Sequence, residues 1–126
     1  MNGQTGLVLQ EDAQATILPY RFVKTGTFPK VAQASAVTDD VVGISDYLGV
    51  TYAATPKRNG IDVKVTRIAE LEFAGTVARG AKVTTNADGK GVAAVSTNKY
   101  YAIAQEDAVT GDRKKVLLVP GNHVLA

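Results

Sequence analysis

Between Ile61 and Phe73 the chain alternates. Ile61, Val63, Val65, Ala69, Leu71 and Phe73 fall on one side, and Asp62, Lys64, Thr66, Glu70 and Glu72 on the other. A period of two belongs to a half-buried β-strand and cannot lie flat on a helix. The pattern breaks once, where Arg67 takes an apolar slot and Ile68 a polar one. A bulge would reverse the facing of every side chain beyond it. Ala69, Leu71 and Phe73 keep the original parity, so a local twist, or burial on both sides at Ile68, fits equally well.

The remaining signals are also extended. Ile17–Val23 is apolar and aromatic, with a Pro that suits an edge or a strand start. Lys24–Thr27 reads as a turn, Phe28–Ala32 as a second extended piece, and Val41–Ser45 as a short buried run after Asp39 and Asp40. Ala81–Thr85 and Val92–Val95 flank Asn86-Ala87-Asp88-Gly89, a hairpin signal. Tyr100–Ala104 and Lys115–Val119 form a last pair joined through Thr110-Gly111-Asp112, and Pro120-Gly121 ends the sheet. Val31–Val37 could form about two helical turns, fewer than the ~12 residues a helix needs to support itself. Val42–Asp46 and Ala102–Asp107 echo each other, both running from apolar through Ile to small to acidic.

About eight short strands with turns every ~8–12 residues predict an all-β fold: a small barrel or β-tulip-like domain with at most one or two short helices. At 126 residues the chain is one domain's worth. Residues 1–15, polar apart from Leu7-Val8-Leu9, read as a flexible N-terminal arm, either a frayed terminus or a segment that orders on a partner. Residues 16–126 read as a single β domain. No basic region precedes the apolar Leu7–Leu9 run and no stretch nears ~20 apolar residues, so neither an export signal nor a membrane span is expected.

The residue inventory removes most chemistry. There is no Cys and a single His, so thiol catalysis, disulfides, thiolate metal sites and multi-imidazole sites are all out of reach within one chain. Gly75–Val83 approaches a phosphate-binding loop but places its Lys one position late and Val83 where Ser or Thr should bind Mg²⁺. Asn86–Gly89 resembles a calcium loop, but Thr84 and Val95 stand where carboxylates belong. Glu70 and Glu72 share a strand face with Lys64 and no aromatic sugar platform, which reads as a solvated face. His123 stands alone. A net charge of +2, with aromatics in core-like slots, argues against a nucleic-acid binder. No enzyme activity, cofactor or metal is expected. The long stretch Asp46–Gly60 lacks clean alternation and carries Tyr47, Leu48 and Tyr52. It is either a contact loop or, from Tyr47 to Tyr52, one more short strand.

The order of these pieces carries a resemblance. Val42–Asp46 is followed by Val63-Lys64-Val65 running to Glu72, then by Ala78-Arg79-Gly80-Ala81-Lys82-Val83 and Asp88-Gly89-Lys90-Gly91-Val92. Tyr101-Ala102-Ile103-Ala104 and Gly111-Asp112 before Val116–Val119 complete it. Across residues 15–119 the chain is similar to the capsid decoration, or cement, proteins of tailed bacteriophages. It departs in having Ala102 where that pattern has Gly before Ile103, and in the stretch 47–60, which has no counterpart there.

The resemblance implies a virion protein made in the bacterial host cytoplasm. It would sit on the outer capsid surface of the expanded head, as a homotrimer that bridges major capsid protein subunits and stabilises the shell by interface burial. No small-molecule substrate and no membrane partner are implied. The alternative from the residues is a small nucleic-acid-binding barrel. The residues expected to touch the shell are Leu7, Val8 and Leu9 of the arm, chosen by position and apolarity, and Tyr47, Leu48 and Tyr52 of the long stretch.

Overall fold

The computed structural model describes residues 8–27, 29–53, 59–65 and 67–126, and for 120–122 the backbone. Its ten strands are β1 (Val8–Asp12), β2 (Phe22–Thr25), β3 (Val31–Gln33), β4 (Val41–Ser45), β5 (Gly60–Lys64), β6 (Arg67–Glu72), β7 (Lys82–Thr85), β8 (Gly91–Ala93), β9 (Lys99–Ala104) and β10 (Arg113–Val124). They form two five-stranded antiparallel sheets, ordered β1-β5-β4-β2-β3 and β6-β10-β9-β7-β8. The all-β expectation holds. The barrel does not: the two sheets stack as in a sandwich and do not close into one cylinder. Among the described residues there is no helix, and Val31–Gln33 is a strand.

The two sheets are built alike. Replacing β1 to β5 by β6 to β10 converts one strand order into the other. The details repeat as well. Ile17 and Val50 exchange backbone hydrogen bonds, as do Val77 and Ala108. Ala13 bridges Val31 in parallel, as Phe73 bridges Gly91. Ala34 donates to the Phe22 carbonyl and Ala94 to that of Lys82. Tyr20 and Gly80, sixty positions apart, both take positive φ. The chain is therefore a tandem of one structural unit, and the echo between Val42–Asp46 and the Ile103 strand is its visible trace.

Two expectations change. The alternating run from Ile61 to Phe73 is not one strand: β5 belongs to the first sheet and β6 to the second, and the break is where the chain crosses over. Arg67 turns the corner with φ of 66°. Nor are residues 8–15 a flexible arm. Val8–Asp12 pairs antiparallel with β5, from Val8 opposite Lys64 to Asp12 opposite Gly60, and Ala13 is fully buried. Residues 1–7, including Leu7, lie outside the described residues.

The core sits in two clusters. Val23, Val31, Ile61 and Val63 join Ala13 and Ile17 on one face of the first sheet. The other face of that sheet gives Phe22, Ala34 and Ile44 to the cluster of the second, with Leu71, Phe73, Val83, Tyr101 and Val116. The Phe22 ring meets the Tyr101 ring edge-on at 5.6 Å. Gly43 sits where β4 and β5 approach so closely that an added Cβ would fall on the Lys64 carbonyl oxygen. The Tyr101 hydroxyl donates toward the carbonyls of Val37 (2.6 Å) and Asp39 (2.9 Å), tying β9 to the β3–β4 turn. Burial and the charges of Asp39 and Asp40 push that phenol up to about 12.

Asp39 closes the β3–β4 turn by accepting from the backbone N–H of Ser35 (2.7 Å) and Ala36 (2.9 Å). Burial pushes its carboxyl up, but those two N–H groups and the Lys24 ammonium outweigh burial and hold it below its ordinary value. A depressed carboxylate stabilises the fold above its unfolded pKa and loses that contribution as pH falls through the folded value. Acid unfolding should therefore steepen below about pH 4, and Asp39→Asn should flatten that limb in a pH series of urea midpoints. The repeat gives a second expectation. Phe22→Ala should cost about 3–5 kcal/mol, whereas Lys82→Ala, the same position in the second unit but half-buried, should cost under about 1 kcal/mol. Thermal unfolding of the dilute protein compares the two.

Candidate functional site

Among the connections, the tandem is most unequal in one place. The first unit spends residues 46–59 between β4 and β5, and the second only residues 105–112 between β9 and β10. In repeated folds such insertions collect on a surface and often carry the binding function. This one holds Tyr47, Leu48 and Tyr52, all exposed, at 67%, 69% and 40%. Residues 46–53 form a loop, not the further strand from Tyr47 to Tyr52 that was the alternative. Val50 makes its single bridge, to Ile17.

The loop is held firmly enough to present those side chains. The Asp46 carboxylate accepts from the backbone N–H of Leu48 and of Gly49, both at 3.1 Å, a turn in which an Asp side chain replaces a backbone acceptor. Gly49 has φ of 58°, and a Cβ there would strike the Ile17 carbonyl oxygen. Further on, Tyr52 N–H donates to Thr16 Oγ1 (3.0 Å). Asn59, buried, receives from Ala53 N–H and donates back to the Ala53 carbonyl, while its own N–H donates to Asp12 Oδ1 (2.7 Å).

Around Tyr47 lie two open grooves. One, of about 340 Å³, is lined by Val8, Tyr20, Asp46, Tyr47, Asp62, Lys64, Ala69 and Glu70. The other, of about 370 Å³, runs past Leu18, Pro19, Tyr20, Arg21, Tyr47, Glu72 and Arg113. Val8 and Tyr47 thus meet in the same groove. Leu9 is exposed on β1 (39%), and Leu48 lines a separate shallow hollow with Gln10 and Gly60. Of the expected contact residues, Val8, Leu9, Tyr47, Leu48 and Tyr52 are all exposed and Val8 and Tyr47 come together; Leu7 lies outside the described residues.

Sequence reasoning missed Leu18, Tyr20, Arg21 and Arg113. Leu18 is 43% exposed beside the loop. Tyr20 turns outward with φ of 59°, and the Arg113 guanidinium lies 4.6 Å from its ring centroid. The Pro19-Tyr20 pair was a readable turn signal, but nothing local reports the positive φ. Arg21 is buried at the seam between the units. It donates to the Asp88 carbonyl (2.9 Å) and stands 3.6 Å from Glu72, which also binds Lys90 at 3.2 Å. Its Nε is buried without a partner.

Glu72 is engaged by two cations, which leaves Glu70 without the second free carboxylate that acid–base work on a sugar requires. Among the described residues no three His, Cys, Asp or Glu side chains gather as a metal site. Lys24 and Lys99, like Arg21 and Lys90, are held by carboxylates, Asp39 and Asp40 respectively.

No family model matches the sequence, and no curated protein matches it. Among solved structures the chain is similar to the N base of the head fiber protein gp8.5 of bacteriophage phi29, with a TM-score of 0.62 at 13% identity, over 93% of this chain and 97% of that one. At that identity the likeness establishes a shared all-β fold.

The loop's hold on Tyr47 and Leu48 can be tested through its anchor. Asp46→Ala should cost about 1 kcal/mol by leaving two backbone donors unpaired. Limited proteolysis should then cut between residues 46 and 53 faster than in the parent chain.

Proposed function

We propose that the protein is a structural component of a bacteriophage head. It binds the outer surface of the expanded shell, acts as a homotrimer, and stabilises the particle by bridging major capsid subunits without catalysing any reaction. The observation that carries this reading is the exposed apolar shelf of Tyr47 and Leu48, borne on an insertion that the second unit lacks and fixed by the Asp46 turn. Exposed Tyr and Leu on an ordered loop offer contact area at small entropic cost.

Two further facts support it. The fold is shared with the base of a phage head fiber, a protein whose own description attaches it to a head. The grooves beside the shelf join aromatic and apolar walls to a few charges, as protein contacts do. Many copies on one lattice would multiply modest single contacts through avidity.

Co-sedimentation with purified expanded heads of the parent phage tests the reading. The parent chain should pellet with heads and raise their melting temperature. Tyr47→Ser combined with Leu48→Ser should weaken binding by at least about tenfold, a loss of about 1.4 kcal/mol, while leaving the chain's own unfolding midpoint unchanged. A chain that never pellets with expanded heads overturns the reading.

A further inference from the structure

Within the chain, the face of the first sheet that bears Ile44 and Phe22 is covered by the second unit. The tandem gives the second sheet the same face. A row of paired residues crosses it: Ile68 opposite Leu117, Leu117 opposite Ile103, Ile103 opposite Lys82. The corresponding row of the first sheet is Val8, Lys64, Ile44 and Phe22. In the second sheet Ile68 and Leu117 of that row are exposed, at 38% and 37%, and Ile103 and Lys82 are half-buried, with no second layer over them among the described residues.

We propose that this open face receives the first unit of another copy of the chain, repeating between molecules the stacking that joins the two units within one. The proposal deepens the trimer in the reading above by naming its surface, and it holds or falls apart from head binding.

The argument for a second copy lies in what changes at matched positions. Inside the chain, Phe22 shares a buried cluster with Leu71 and packs edge-on against Tyr101. Moving each to its counterpart, Phe22 becomes Lys82 and Leu71 becomes Glu11. Two apolar members of one buried cluster are replaced by a lysine on the receiving face and a glutamate on the incoming unit, both half-buried in the single chain. Volume is conserved too. Val41 on the receiving face and Tyr101 on the incoming one become Tyr100 and Val42, large exchanged for small. Ala69, buried inside the chain, becomes Leu9, which the single chain leaves exposed. The chain thus ends in an unused receiving face at one end and an unused incoming rim at the other. Such a contact is head-to-tail, and it closes into a ring where the rotation permits.

Sedimentation equilibrium across a dilution series tests this. The parent chain should associate, and Leu117→Glu or Ile103→Glu should weaken association by at least about tenfold. Lys82→Glu and Glu11→Lys should each weaken it, and both placed in one chain should restore most of it. Should an apolar-to-acid variant fail to fold, the charge pair still decides, because both positions lie outside the buried clusters. Circular dichroism and unfolding midpoints of the dilute variants check their folding. A parent chain that stays monomeric overturns the proposal, as does association that ignores these four positions, or single charge reversals that the double reversal does not rescue. Head binding measured on the same variants separates the two readings: a monomeric parent that still pellets with heads defeats this one and leaves the other standing.

Discussion

Everything in this molecule hangs on the burial of one sheet from both sides. In the first sheet, consecutive residues face opposite cores: Val23 packs with Ile61 and Val63, while Phe22 and Ile44 pack with Leu71 and Tyr101. Each fully buried Phe or Ile contributes about 1.5–3 kcal/mol. A unit of about sixty residues on its own would be marginal, so sharing Phe22, Ala34 and Ile44 with the neighbouring core is what makes the pair a domain. The seam needs its polar groups satisfied as well. Tyr101 reaches the Val37 and Asp39 carbonyls, Phe22 N–H reaches the Gly89 carbonyl, and Glu72 N–H reaches that of Tyr20.

Much of this was legible in the sequence, and the failures have physical causes. Alternation and turn chemistry located β4, β7, β8 and β9, because each carries apolar residues on at least one face and ends at a turn residue. β2 is Phe22–Thr25, where the pattern predicts Ile17–Val23 with Lys24 and Thr25 in a turn. β10 runs on through Pro120-Gly121 to Val124, because backbone pairing of His123 and Val124 with β9 outlasts the local turn signal. The Ile61–Phe73 run misled because Val65 and Thr66 separate β5 from β6 by an even number. Parity survives the crossover, and a period of two cannot distinguish one long strand from two. β1 was hidden because Val8–Asp12 shows only Val8 and Leu9 as apolar residues. Its place is fixed by pairing with β5, whose residues lie 48 to 56 positions away and which no local pattern reports.

The tandem itself was almost invisible for a related reason. Matched positions keep their role in the backbone while the side chains diverge. Ala13 matches Phe73, Tyr20 matches Gly80, and Phe22 matches Lys82, because the two units do not share an environment. One is stacked on a neighbour and the other is not, so the residues that most define the stacking are the ones that differ. The loop residues Tyr47, Leu48 and Tyr52 were easier to single out, since a long stretch without alternation between two strong strands has few other uses. Tyr20 and Arg113 were not, because their meeting depends on a positive φ and on a strand from the other unit.

The edges of the sheets narrow how such a molecule can adhere. A free strand edge invites pairing with another chain, and proteins blunt it with short strands or charges. Here β3 and β8 are three residues each, β1 ends in Glu11 and Asp12, and β6 carries Arg67, Glu70 and Glu72. This also weighs against Val8 and Leu9 donating a strand to a neighbouring sheet, since β1 already fills one edge of its own and presents acids along the way. With edge pairing discouraged, two apolar surfaces stand out among the described residues: a loop shelf built on an insertion, and the sheet face of Ile68 and Leu117. The shelf is particular to one unit and suits a foreign partner. The flat face is the counterpart of one that is covered within the chain by this same fold, which is the ground for the proposed contact with another copy.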